Sequence, residues 1–125
     1  MRPIALQSKI FLDSADPAET ESTLNHLGFL DGQTTNPTLL SKNPVIQEFL
    51  TSGKKYRRDQ LMEEYKKVIQ HIKEVIPQGL ISIEVYSDNN TKAAEMVEQA
   101  QEMDTWIEDA YIKLPITREG LKAAN

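Results

Sequence analysis

Apolar residues along this chain recur with two different periods, and the switches between them divide it into alternating strand-like and helix-like segments. Compact runs rich in β-branched and aromatic residues lie near residues 9–13, 30–36, 80–85 and 110–115, and each is bounded by turn residues as strands are. In the third run Ser82 and Glu84 fall on one face and Ile81, Ile83 and Val85 on the other. In the fourth, Ile112 and Leu114 share one face while Tyr111, Lys113 and Pro115 share the opposite one.

Between these runs the spacing becomes helical. Asp16, Pro17 and Glu19 form a cap, a first-turn proline and the acid of a capping box, and Gly28 closes the segment. Asn43-Pro44 repeats the cap-then-proline signal before Val45, Ile46, Phe49 and Leu50, and Thr51-Ser52-Gly53 ends that helix. The longest stripe runs from Asp59 to Ile76 through Leu61, Tyr65, Val68, Ile69, Ile72 and Val75. Pro77 and Gly79 close it. Tyr65 reads as a packing residue and His71 as a surface one. Asp88, Asn89 or Asn90 is expected to cap a helix bearing Ala93, Met96, Val97, Ala100 and Met103, and Thr117 to cap another running to the last residue, Asn125. The strand–helix alternation predicts an α/β fold with a parallel sheet and right-handed crossovers, in one domain spanning residues 1–125.

Composition narrows the function. With 39% hydrophobic and 26% charged residues, and no apolar run near the roughly 20 residues that span a bilayer, no membrane association is expected. A net charge of −5 argues against nucleic acid, the cluster Lys54-Lys55-Tyr56-Arg57-Arg58 reading as a solvated loop. The absence of cysteine excludes disulfides and thiolate chemistry and fits a cytoplasmic location. His26 and His71 stand isolated, so no metal cluster is evident.

In parallel α/β folds chemistry gathers at the carboxyl ends of the strands, and this chain places polar residues there. Asp13 ends the first run, Thr34 and Asn36 share a face late in the second, Glu84 lies late in the third and Lys113 late in the fourth. Each has a plainer reading: Asp13 as a turn residue, Asn36-Pro37 as a turn pair, Glu84 as a neutralising partner, Lys113 as an edge-strand lysine reaching water. Together an acid, a carboxamide, another acid and a lysine on four successive strands predict one shared cavity. Sheet faces covered on both sides would bury Lys113.

The segments Gly32-Gln33-Thr34-Thr35-Asn36-Pro37-Thr38-Leu39-Leu40 and Ile112-Lys113-Leu114-Pro115-Ile116-Thr117-Arg118-Glu119-Gly120-Leu121 resemble the two signature motifs of the transaldolase family. Phe11-Leu12-Asp13-Ser14-Ala15 and Ile83-Glu84-Val85 resemble its other active-site strands. The resemblance runs from about Lys9 to the end. It implies a (β/α)8 TIM-barrel fold of which only about four βα units are present, since such barrels take about 250 residues. Two departures stand out: Gln33 occupies a position where the family usually has a small or branched apolar residue, and the connection from Leu39 to Gly79 is longer than in short members.

By resemblance, Lys113 forms a Schiff base with a sugar-phosphate ketone, Glu84 shuttles protons through a water, Asp13 is the acid/base for the sugar hydroxyl, and Asn36 with Thr34 or Thr35 binds substrate oxygens. The implied reaction moves a dihydroxyacetone unit between sugar phosphates, as in the pentose phosphate pathway, without metal or organic cofactor. The family's phosphate-holding serine and arginine lie in later strands. A C-terminal half-barrel or a second copy of the chain is therefore the expected partner. Two alternatives stay open: a simple sugar-phosphate aldolase of the same superfamily, against whose fructose-6-phosphate type Glu84 weighs because its matching position resembles glutamine, and a non-catalytic truncated barrel acting as a structural or assembly fragment.

Overall fold

The computed structural model describes residues 1–125. Its strands, β1 (Phe11–Asp13), β2 (Gly32–Thr34), β3 (Leu80–Glu84) and β4 (Ala110–Lys113), form one sheet in the order β1-β2-β3-β4, every pair parallel. The connections carry α1 (Pro17–Leu27), then α2 (Pro37–Ser41), α3 (Pro44–Thr51) and α4 (Arg58–Val75), then α5 (Ala93–Asp104), with α6 (Arg118–Ala124) after β4. Strands adjacent in sequence are adjacent in space, and one face alone is packed: Ile81, Ile83 and Val85 are buried, whereas Phe11, Leu80 and Tyr111 on the other face are exposed. A doubly wound sheet would reverse its strand order and carry helices on both sides. Sequential order with helices on one side makes this a partial (β/α) barrel of four units. No helix is long and apolar enough to cross a membrane.

The core lies between the sheet and its helices. Tyr65, Ile69, Ile72 and Ile76 meet Ile81, Ile83 and Val85, with Met96, Met103 and Trp106 from the α5 side. Burying each such side chain contributes about 1.5–3 kcal/mol, which makes this face the main source of stability.

Several local expectations are revised. Every strand is shorter than its apolar run. At Asn36 the chain leaves the sheet to cap α2, a helix the sequence pattern did not reveal, and its Oδ1 accepts from the Leu39 N–H at 2.8 Å. The signal was present, since Asn36-Pro37 has the same cap-then-proline form as Asn43-Pro44. The Asp16 cap is as expected, but Glu19 does not reach back to Asp16. It binds the Ser14 hydroxyl, and Ser14 Oγ accepts the Asp16 N–H. None of Asp88, Asn89 or Asn90 caps α5, which starts from Lys92. Asp88 instead closes its own turn on Asn90 and Thr91, and the free first-turn N–H of Ala93 is taken by Glu119 of α6 at 3.0 Å. That hydrogen bond is the largest reason the Glu119 carboxyl is held below the usual glutamate range. Thr117 caps α6 as expected, accepting from Gly120 N–H.

The segment before β1 is tied down at Met1, whose amine donates to the Gly28 carbonyl at 3.0 Å, and at Arg2. Arg2 pairs with Asp31 at 2.9 Å, and Asp31 also accepts the Ile10 N–H at 2.7 Å. That backbone bond, followed by Arg2, holds the Asp31 carboxyl below its ordinary value against the opposing effect of desolvation.

Candidate active site

Strand register sorts the inward side chains into rows. Pairing of Phe11 with Gly32 and of Gly32 with Leu80 makes the lowest row. The next contains Asp13, Thr34, Ser82 and Tyr111, and above it Glu84 pairs with Lys113. Gly32 has to be glycine: a Cβ there would sit 2.4 Å from the Leu80 carbonyl oxygen and 2.6 Å from the Phe11 ring.

At the carboxyl edge the candidate residues form two pairs. Thr34 donates to Asp13 Oδ1 at 2.7 Å, and Lys113 Nζ lies 3.5 Å from Glu84 Oε2. The second contact is an ion pair rather than a short hydrogen bond. Its side chains are 37% and 24% exposed for Lys113 and Glu84, and such a pair contributes about 0–1 kcal/mol to stability. Little folding energy is gained by placing an acid and an amine side by side here.

Lys113 is not buried as the two-sided sheet predicted, because nothing in this chain covers the inner face above Tyr111. β1 and β4 are both edges, and three strand spacings of about 4.8 Å separate their backbones by about 14 Å along the sheet. The two pairs thus lie on one open trough a row apart, Glu84–Lys113 above Asp13–Thr34, and the single cavity expected to hold all four is not closed: the cavity at Glu84 includes neither Asp13 nor Lys113.

Asn36 joins Glu84 in a small cavity of about 260 Å³ lined also by Pro37, Thr38, Val85, Tyr86 and Ser87. Its carbonyl oxygen is committed to α2. Thr35 stands apart. It is fully buried on the helix side, its hydroxyl donating to the Ser82 carbonyl at 2.8 Å and touching Tyr65 Oη at 3.0 Å. Of the two threonines, Thr34 shares the inner face with Asp13. Period-two reading of the strands already signalled Ser82 and Tyr111 as inward residues, although neither was singled out. Tyr65 holds a packing position in the helical stripe, and its hydroxyl has polar partners that no spacing rule shows.

The loop after Lys113 is held closely. A Cβ on Gly120 would fall 1.9 Å from the Pro115 carbonyl oxygen, so only glycine lets α6 fold back under the strand end. On β2, Gln33 is fully buried among the helices, its Nε2 donating to the Ser14 carbonyl and its Oε1 accepting from Thr20, both at 2.7 Å. An apolar residue would make neither bond, which accounts for this departure from the family pattern.

Four βα units with acids and a lysine clustered at the carboxyl ends of parallel strands define a partial barrel of the enzyme-bearing type. The chain matches the family described as Transaldolase/Fructose-6-phosphate aldolase over residues 10–125. It belongs to that family. It is 34% identical over 114 residues to a probable transaldolase of Dehalococcoides mccartyi, covering 91% of this chain and 43% of that protein. A probable transaldolase of Thermoplasma volcanium is 38% identical over 115 residues, covering 92% of this chain and 43% of the relative. One from Streptococcus pyogenes is 34% identical over 117 residues, with 94% and 44% covered. The chain thus spans less than half the length of these relatives.

Proposed function

We propose that this chain carries the Schiff-base half of a transaldolase-type active site, transferring a dihydroxyacetone unit between sugar phosphates once a second half-barrel covers its inner face. The observation that carries this reading is the Glu84–Lys113 contact of 3.5 Å at paired positions of β3 and β4. A ketone carbonyl above this pair meets the Lys113 amine, and the nitrogen–carbon bond forms as the carbonyl oxygen takes a proton. Loss of that oxygen as water leaves an iminium, with Glu84 moving the protons. The iminium accepts the electron pair of the breaking carbon–carbon bond while Asp13, oriented by Thr34, takes the proton of the departing aldehyde's hydroxyl. Returning the pair to a new aldehyde, whose oxygen takes back the proton from Asp13, and adding water across the iminium release the product ketone and free the Lys113 amine. Asn36, with Oδ1 used by α2, has its amide N–H groups to offer to substrate oxygens.

An uncovered face and two unpaired edge strands support the proposal of a covering partner, either a C-terminal half-barrel or a second copy of this chain. Covering the trough would desolvate Lys113, and only the neutral amine attacks.

Incubation with fructose 6-phosphate and borohydride, alone and with a matching C-terminal half, tests the assignment. The reduced three-carbon adduct is expected on Lys113 and on no other lysine, and Lys113→Arg abolishes it. Label spread evenly over the surface lysines would overturn the reading. A simple aldolase would release glyceraldehyde 3-phosphate without needing an acceptor, whereas a transaldolase turns over only when an aldehyde acceptor is supplied.

A further inference from the structure

The β2–β3 ladder stops one step below the site. Leu80 N–H bonds to the Asp31 carbonyl at 3.1 Å and Thr35 N–H to the Ser82 carbonyl at 3.0 Å. The next donor due on the β2 side is residue 37, a proline, which has no N–H to offer. The Glu84 carbonyl therefore loses its strand donor, and with β2 ended at Thr34 the Glu84 N–H is met by a side chain instead, at the residue whose carboxylate contacts Lys113.

The Tyr65 hydroxyl of α4 fills that gap. It lies 3.3 Å from Glu84 N, 3.3 Å from Glu84 O and 3.0 Å from Thr35 Oγ1. A phenol has one proton, and the shorter contact assigns it to Thr35. The chain of bonds then runs from Glu84 N–H to Tyr65 Oη, from Tyr65 O–H to Thr35 Oγ1, and from Thr35 O–H to the Ser82 carbonyl, each group donating once. Two residues on, Gln99 of α5 holds the chain just past the strand end, accepting from Tyr86 N–H and donating to its carbonyl, both at 2.9 Å. Tyr65 itself is 2% exposed and stacked edge-on against Trp106, with ring centroids 5.5 Å apart, so its hydroxyl cannot move off independently.

We propose that Tyr65 is a positioning residue: its hydroxyl accepts the Glu84 N–H where the β2–β3 ladder has ended and so fixes the Glu84 backbone, holding the carboxylate against Lys113. This rests on the reading of Glu84 and Lys113 as a working pair. Its test needs no turnover.

A water-soluble carbodiimide activates a carboxylate, and a neighbouring amine displaces the urea to leave an amide, so it joins acids to amines only where they touch. In the full 125-residue chain, peptide mapping compares the Glu84–Lys113 cross-link with that of Glu119–Lys122, an ion pair of 2.9 Å remote from Tyr65, as internal standard. Tyr65→Phe, which removes one oxygen, is expected to lower the Glu84–Lys113 yield about fivefold relative to the standard, the population shift that loss of one ordinary hydrogen bond produces. Thr35→Val leaves the Tyr65 proton free to turn to the Glu84 carbonyl, and the yield stays within about twofold. An unchanged ratio in Tyr65→Phe, or an equal loss in Thr35→Val, overturns the proposal.

Amide exchange in the unsubstituted chain decides the matter even if Tyr65→Phe fails to fold. The Glu84 N–H is expected to be protected like Ile83, and exchange at the rate of a loop amide overturns the assignment. In the borohydride assay, Tyr65→Phe should slow labelling of Lys113 in the parent but add nothing on top of Glu84→Gln, as for two residues acting through one group. Failure of Lys113 to label in any variant, with the cross-link still falling, would sink the Schiff-base reading and leave the positioning role standing.

Discussion

Replacing Gln33 by leucine tests whether a buried amide, rather than packing, joins β1, β2 and α1. The side chain is fully buried and makes two hydrogen bonds of 2.7 Å, to the Ser14 carbonyl and from the Thr20 hydroxyl. Leucine of similar volume keeps the space filled but orphans the carbonyl, at about 1–3 kcal/mol. The Thr20 hydroxyl retains the Asp16 carbonyl at 3.3 Å, so its loss is smaller. Burying leucine instead of an amide offsets part of this, and the expected net cost of Gln33→Leu is about 1–2 kcal/mol. Thr20→Val alone strands the Gln33 carbonyl oxygen and is expected to cost a similar amount. The double variant strands only Ser14, so it should be about 1 kcal/mol more stable than the sum of the singles predicts. Urea unfolding followed by far-ultraviolet circular dichroism, at one fixed chain concentration, measures all four proteins. Additivity to within about 0.5 kcal/mol would refute the reasoning, because contacts that merely fill space behave independently.

Other expectations follow from particular groups. Burial pushes the Tyr65 phenol up to about 12, while an unfolded tyrosine ionises near 10, so stability is fully present below pH ~10 and falls between ~10 and ~12 by up to about 2–3 kcal/mol; Tyr65→Phe should flatten that alkaline limb in denaturant titrations. The carboxyls of Asp31, Asp88 and Glu119 are held low, chiefly by backbone N–H groups of Ile10, Asn90 and Ala93 respectively. Their contribution is present above the ordinary carboxylate range near ~4 and is lost as pH falls below it, and Glu119→Gln should reduce the acid dependence while loosening α5 from α6 in hydrogen exchange. Ile83→Ala, at a site with no exposure, should cost about 2–5 kcal/mol by opening a cavity between sheet and helices. With Phe11, Leu80 and Tyr111 exposed on one face, the chain alone should self-associate, and light scattering that shows a cooperatively melting monomer at high micromolar concentration would count against a missing cover.

Alternation of strand and helix periods was enough to determine the four-unit α/β architecture, because burial of one face per element follows from side-chain spacing alone. It also aligned Asp13, Thr34, Glu84 and Lys113, since residues two apart in a strand share a face and parallel strands end together. Strand ends were not legible in the same way. Where β2 stops depends on Asn36 turning to cap α2, and the first-turn N–H of Ala93 in α5 is met by Glu119, 26 residues away, a contact that exists only once α6 has folded back. The part proposed for Tyr65 belongs to the tertiary structure for the same reason: its place in the helical stripe announced a packing residue, but the Glu84 N–H its hydroxyl accepts lies at the end of a strand 19 residues away. The exposure of Lys113 was likewise decided by what lies over the sheet. A two-period pattern specifies which face of a strand is which, and only the assembled layers determine whether that face is covered.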